Sequence, residues 1–210
     1  MSNNNNNAKF YIDGVWVSPV VPKLFDLVNP ATEETIGAIS LGSAEDVDRA
    51  VIAARKAFAT YSQTSKQERL AFLRKIIASY KERFDDIARA ITEEMGSPLW
   101  FSKKVQVQTA LDHFEEACRV LEAYEFEHMM GGTRIVREPI GVCGLITPWN
   151  WPVNQVASKL APALAAGCTV VVKPSEMAPL SSIILAEVLH DAGLPKGVFN
   201  LVNGDGPTVG

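Results

Sequence analysis

Three short segments carry residue types that can do chemistry together. TPWNWP at residues 147–152 holds Asn150 between two tryptophans and two prolines. Each proline locks its own backbone and biases the residue before it to extended geometry, so Thr147, Pro148, Trp151 and Pro152 stiffen the chain around the amide. An uncharged amide offers two N–H donors. Fixed in advance, it suits an oxyanion that develops during a reaction and avoids a tight ion pair with the ground-state substrate. The alternative is a turn residue that bonds local backbone. VVVKPSE at residues 170–176 sets Lys173 and Glu176 three apart across a proline. At the end of a strand the carboxylate can accept from a ribose hydroxyl. The lysine can donate to the same ribose or face a phosphate. Taken alone, the pair reads equally as a solvated ion pair. GDGPTVG at residues 204–210 has the spacing GxGxxxG, close to but not equal to the dinucleotide fingerprint GxGxxG. Pro207 there suits a helix start, and an ordinary glycine turn is the alternative.

These segments need strands to carry them, and the hydrophobic pattern supplies strands. Residues 141–146, 169–172 and 198–202 are short apolar runs, as in strands buried on both faces. Helical patterns over 153–166 and 181–191 separate them. Strand–helix–strand–helix–strand is the order of a parallel sheet with crossover helices, whose ligands bind at the carboxyl ends of the strands. Each of the three segments follows one such strand.

The preceding chain divides by period. Phe10, Ile12, Val15 and Val17 frame Asp13-Gly14, a hairpin signal. A turn at Asn29-Pro30-Ala31-Thr32 separates strands over 25–28 and 35–40. From 43 to about 126 the spacing is helical. Ser43-Ala44-Glu45-Asp46 is a capping-box-like start, Ser65-Lys66-Gln67-Glu68 starts a second helix, Asp85 or Asp86 caps a break, Gly96 stops the run, and Pro98 restarts it at a first helical position. Phe72, Phe101, Phe114 and Tyr124 are assigned to the core. A further strand is expected over 133–137.

Composition narrows the function classes. The 210 residues are 47% hydrophobic and 21% charged, with a net charge of −4, as in an ordinary soluble globular protein. No basic run interleaves with aromatics, so nucleic acid and anionic membranes are not expected partners. No run of about 18 apolar residues predicts a membrane span. MSNNNNN lacks an apolar signal core and reads as a disordered lead over 1–8. Three cysteines at wide spacing, without CxxC, exclude a disulfide framework or zinc site, and the cytoplasm is the expected compartment.

PWNWP, AAGCTVVVKPSE and GVFNLVNGDGPTVG, in this order, resemble the aldehyde dehydrogenase superfamily. YIDGVWV, NPATEETIG and GSAEDVDRAVIAARKAF resemble its amino-terminal region, and the resemblance spans residues 9–210. It implies an α/β fold: an incomplete Rossmann-like parallel sheet, the NAD-binding domain of that family, with amino-terminal antiparallel strands and a helical segment. The expected division is amino-terminal strands over 9–40, part of an oligomerisation arm or of the NAD-binding domain, a helical part over 41–130, and the first βαβαβ part over 131–210. It also implies NAD(P)-dependent oxidation of a small aldehyde to an acid. A cysteine thiolate forms a thiohemiacetal, hydride passes to the nicotinamide, and a glutamate activates water. The resemblance puts Asn150 at the oxyanion and lays Leu145, Ile146, Thr147, Pro148 and Trp149 along the cofactor. Lys173 and Glu176 match the adenosine-ribose contacts, with Ser175 nearby. Gly206, Pro207 and Gly210 match the loop and helix over adenine and phosphates. Glu176 favours NAD, with NADP left open. A homo-oligomer is implied for the complete protein.

The family's nucleophilic cysteine, its general-base glutamate and its next cofactor strand would all follow Gly210. Cys118, Cys143 and Cys168 lack the nucleophile's context and read as small core or surface residues. The expectation is therefore the cofactor half of a longer enzyme, inactive by itself. The alternative is a naturally short, inactive relative that binds nucleotide or partners.

Overall fold

The computed structural model describes residues 6–210. Residues 1–5 of the expected disordered lead lie outside the described residues. Residues 6–8 form a turn, and the Asn6 amide donates to Glu187 at 3.0 Å.

The central sheet has five strands in the order β2-β1-β9-β8-β7. β7 (Val142–Ile146), β8 (Thr169–Lys173) and β9 (Phe199–Leu201) run parallel, with Ile146 opposite Lys173 and Val172 opposite Leu201. The hairpin of β1 (Phe10–Ile12) and β2 (Val15–Val17) extends the sheet by pairing Tyr11 antiparallel to Leu201. β3 (Leu24–Val28) and β4 (Thr35–Ser40) form a separate two-stranded ribbon.

Alternation along the strands gives the sheet two apolar faces. Val171 and Val202 meet Phe10, Ile12, Ala50 and Ala53 beneath α1 (Ala44–Tyr61). Val170, Val172 and Leu201 join the larger core on the opposite face. There lie the crossover helices α6 (Pro152–Ala166) and α7 (Leu180–Asp191). Outside them pack α2 (Lys66–Glu82), α3 (Phe84–Met95) and a long helical run that starts at α4 (Leu99–Phe101) and ends with α5 (Gln108–Ala123). The expected capping box from Ser43 to Asp46 forms, and the helix expected to start at Ser65 opens with a second one, from Ser65 to Glu68. α6 stops at Gly167, whose φ of +88° and closeness to the Arg69 guanidinium, 2.5 Å from where a Cβ would sit, admit no side chain.

Several sequence expectations are corrected. Among the described residues β7 lies at the edge of the sheet, with Gly144 exposed and Ile146 58% exposed, so here it is not buried on both faces. A short apolar run cannot distinguish a central from an edge strand. The helical segment ends at Ala123, and β5 (Glu127–Met130) pairs with β6 (Thr133–Val136) as a hairpin outside the parallel sheet. The break between α2 and α3 falls at Arg83, which pairs with Asp86 instead of being capped by it. Pro98 caps α4 from outside rather than filling its first turn. Phe114 is core, but Phe101 is half-buried and Tyr124 is exposed.

Candidate functional site

The three predicted segments meet at one edge of the sheet, because parallel pairing brings the carboxyl ends of β7, β8 and β9 side by side. The Thr147 amide donates to the Lys173 carbonyl at 3.1 Å, which continues the β7–β8 pairing one step past β7. Lys173 closes β8 and is 7% exposed. Its ammonium donates to the Pro174 carbonyl at 2.9 Å, the Gly204 carbonyl at 2.5 Å and the Glu176 carboxylate at 3.2 Å. All three protons have acceptors, so the buried charge is compensated. The Gly204 contact ties the end of β8 to the glycine segment after β9. Ser175 shapes the turn between them: its hydroxyl accepts from the Met177 amide at 3.2 Å. Glu176 is half-buried and uses one carboxylate oxygen on Lys173, leaving the other free to accept.

The glycine segment forms a turn over 206–209, not the expected helix start. The Asp205 carboxylate accepts from the Thr208 amide at 2.9 Å, and these hydrogen bonds from Thr208 hold its pKa below the usual range. The Asp205 carbonyl accepts from Val209 and Gly210, both at 3.2 Å. A Cβ on Gly210 would lie 2.8 Å from the Gly206 carbonyl oxygen, so the coil requires glycine there. Gly206 and Pro207 stand exposed on its outer side.

Asn150 sits beyond β7 on the exposed loop that leads into α6. Its side chain has no hydrogen-bond partner among the described residues. Leu145 faces the core, whereas Ile146, Pro148 and Trp149 line the open side of the loop. The expected clamp between two rings is one-sided. The Trp149 ring is 57% exposed, while Trp151 packs edge-on against Phe101 at 5.9 Å. Trp151 also caps α6: its carbonyl accepts from Gln155 at 2.8 Å and Pro152 is the first helical residue. The first turn of α6 has no side-chain cap and no acidic residue, so its free amides present a partial positive charge beside Asn150.

Two of the three thiols are held in the protonated form. Burial, and then the neighbouring Cys168, push the Cys143 thiol up to about 11, and burial also raises Cys118. Such groups are protonated at neutral pH and weakly reactive. Among the described residues no cluster of His, Cys, Asp or Glu could hold a metal ion, and no helix is long and apolar enough to cross a membrane.

Two buried polar groups at the strand ends lack partners: the Thr147 hydroxyl and both amide atoms of Asn203. Buried polar groups are nearly always bonded, so each marks a place for water or a polar ligand. Sequence reasoning missed Asn203, although a polar residue closing the apolar run before Gly204 was a usable signal. A cavity of about 520 Å³ opens elsewhere, between α5 and α6, lined by His113, Tyr124, Phe126, Arg137 and Pro162 among others. None of the predicted site residues lines it, and the strand-end residues fit the expected chemistry better.

The model of the aldehyde dehydrogenase family matches residues 16–210. A 3-succinoylsemialdehyde-pyridine dehydrogenase from a Pseudomonas species is 56% identical over 203 residues, covering 96% of this chain and 43% of that protein. Among solved structures, aldehyde dehydrogenase C of Pseudomonas syringae with NAD+ and octanal superposes with a TM-score of 0.97 at 52% identity, covering 99% of this chain and 43% of that one. Betaine aldehyde dehydrogenase of Staphylococcus aureus with NAD+ superposes at 0.92 and 36% identity, covering 98% of this chain and 43% of that one. The chain therefore spans about 43% of the length of these relatives.

Proposed function

The chain belongs to the aldehyde dehydrogenase family, and on that premise we propose that it forms the cofactor half of an NAD-dependent enzyme that oxidises an aldehyde to a carboxylic acid. The observation that carries this reading is the Lys173 ammonium, which joins the end of β8 to the glycine segment after β9 at 2.5 Å. That contact gathers an acceptor, donors and an open backbone at one sheet edge, the place where sheets of this kind bind nucleotides.

The residues fit the cofactor. The free oxygen of Glu176 accepts from the adenosine ribose, and Lys173 turns to the same ribose the proton it otherwise gives Glu176. Ser175 sets the turn that presents Glu176. Gly206, Pro207 and Gly210 offer backbone to adenine and phosphates, and Ile146, Thr147, Pro148 and Trp149 form the wall along the dinucleotide, backed by Leu145 from the core. The unpartnered Thr147 hydroxyl supports a polar ligand on that wall. NAD+, when bound, accepts the hydride.

Asn150 acts on the substrate. Its Nδ2–H donates to the carbonyl oxygen as negative charge develops there, and the free amides at the start of α6 add to the same potential. The attacking thiolate is not assigned to Cys118, Cys143 or Cys168, whose surroundings keep the first two protonated and the third buried. It belongs to the part of the complete enzyme that corresponds to the rest of the relatives' length. In that enzyme Asn150→Ala should lower kcat roughly 10²–10³-fold, the usual consequence of removing one oxyanion donor, and leave the KM for NAD+ unchanged. Steady-state kinetics decide it: an unaltered kcat removes Asn150 from the chemistry.

A further inference from the structure

The long helical run between α4 and α5 is irregular. Residues Ser102–Val107 form a π-helical turn. Such a turn accommodates one extra residue in an α-helix, is rare, and occurs often at functional sites. One extra residue rotates everything before it by about 100° relative to a continuous α-helix. The sequence supports the irregularity from several sides. The buried Ser102 hydroxyl pairs with Thr92 at 3.0 Å, and the Gln106 amide donates to the Ser97 hydroxyl at 3.1 Å. The Tyr80 hydroxyl donates to the Val107 carbonyl at 3.1 Å.

The residues reoriented by this turn are Trp100 and Phe101. Phe101 meets Trp151 edge-on at 5.9 Å, and Trp100 backs Phe101 at 5.6 Å. Neither is a core residue: Phe101 is half-buried and Trp100 is 63% exposed. Their packing therefore does little for the core and acts at the rim, on the residue next to Asn150. Asn150 itself has no hydrogen bond to hold it, and the ring on its other side, Trp149, is exposed. The Phe101–Trp151 contact is thus an aromatic restraint flanking the amide.

We propose that the π-helical turn Ser102–Val107 is a positioning device, which turns Phe101 onto Trp151 and thereby fixes Asn150 where its amide can meet the substrate oxygen. Phe101 is a positioning residue, not a catalytic one. The inference rests on the oxyanion reading for its catalytic consequence, but its structural part stands apart from it. A donor displaced by about 1 Å can lose roughly a hundredfold in rate, so a single aromatic contact at this place matters.

The structural part is tested on the 210-residue chain by 15N relaxation of the Asn150 amide in wild type, Phe101→Ala, Phe101→Trp and Phe72→Ala. Phe72 packs against Tyr61, far along the chain from the site, and serves as a destabilised control. The order parameter at Asn150 should be about 0.85 in wild type and fall below about 0.6 in F101A. It should recover in F101W and stay unchanged in F72A. Deleting Lys104, which removes the extra residue, should reproduce the F101A result without touching an aromatic. An Asn150 amide that is already mobile in wild type, or unmoved in F101A, overturns the proposal. In the complete enzyme F101A should lower kcat roughly tenfold or more at constant KM, and F101A combined with N150A should be no slower than N150A alone. Full additivity of the two overturns the catalytic part. If N150A alone leaves kcat unchanged, the oxyanion reading fails, while the relaxation result still judges the positioning role.

Discussion

Lys173 and Glu176 show how few side chains this edge of the molecule needs. Their spacing across Pro174 was legible, and so was their place at a strand end. The third partner, the Gly204 carbonyl, was not, because it lies 31 residues away and arrives only when β9 pairs with β8. That contact makes the lysine a fixed donor instead of a solvated one. Glu176 keeps a free oxygen at the site, and its charge opposes a second phosphate on the ribose. In the complete enzyme Glu176→Gln should therefore raise the ratio of kcat/KM for NADP+ to that for NAD+, by roughly tenfold for one removed charge at partly solvated contact distance. An unchanged ratio would show that Glu176 does not face the ribose. Asn150 was legible as an amide set between two rings and two prolines; of the rings, Trp149 is exposed and Trp151 packs against Phe101.

Helices depend on partners that local sequence does not reveal. α7 begins after Pro179, which offers no side-chain cap. Its first amides are bonded instead by Glu94 at the end of α3, which accepts from the Leu180 amide, from the Ser181 amide at 3.1 Å and from the Ser181 hydroxyl at 2.6 Å. Glu94 is buried. Burial raises its pKa to about 7, against the opposing pull of the Ser181 and Leu180 hydrogen bonds, and the Glu93 charge adds slightly to the rise. The native chain thus binds this proton more tightly than the unfolded chain. The contribution is fully present below the unfolded pKa of about 4.5 and is lost as pH rises to about 7. Glu94→Gln has no charge to bury, so between pH 4.5 and pH 7 it should lose less stability than wild type. Urea titrations of both proteins at the two pH values measure this, and parallel losses would reject it. The same dependence on distant groups explains the π-helical turn: the pattern over 99–123 reads as plain helix, while Thr92, Ser97 and Tyr80 select the irregular form.

On the scale of the molecule, several large apolar side chains between residues 127 and 146 stand exposed. Met129 and Met130 in β5, Ile140 before β7 and Ile146 at its end are 62%, 65%, 90% and 58% exposed. Among the described residues β7 also has no partner on its outer edge. Such edges and patches pair with other chains. The first amino-terminal strands are anchored: Phe10 is fully buried and β1 pairs with β9. We therefore expect the 210-residue chain to self-associate through the 127–146 region, with a mass by light scattering that rises with concentration. Ile140→Lys should lower that mass. A concentration-independent monomer would exclude the patch as an association surface.

Order along the chain was enough to determine the βαβαβ unit, the capped helix starts at Ser43 and Ser65, and the three polar segments that end the strands. These features are local: period, caps and prolines act within a few residues. The resemblance in PWNWP, VVKPSE and the glycine segment also identified the family. Tertiary structure decided what depends on non-local pairing. It put β7 at the edge of the described sheet, linked Lys173 to Gly204, and set Phe101 rather than Trp149 against the asparagine loop. In each case a residue's partner is chosen by the packing of elements far apart in sequence, and no local pattern carries that information.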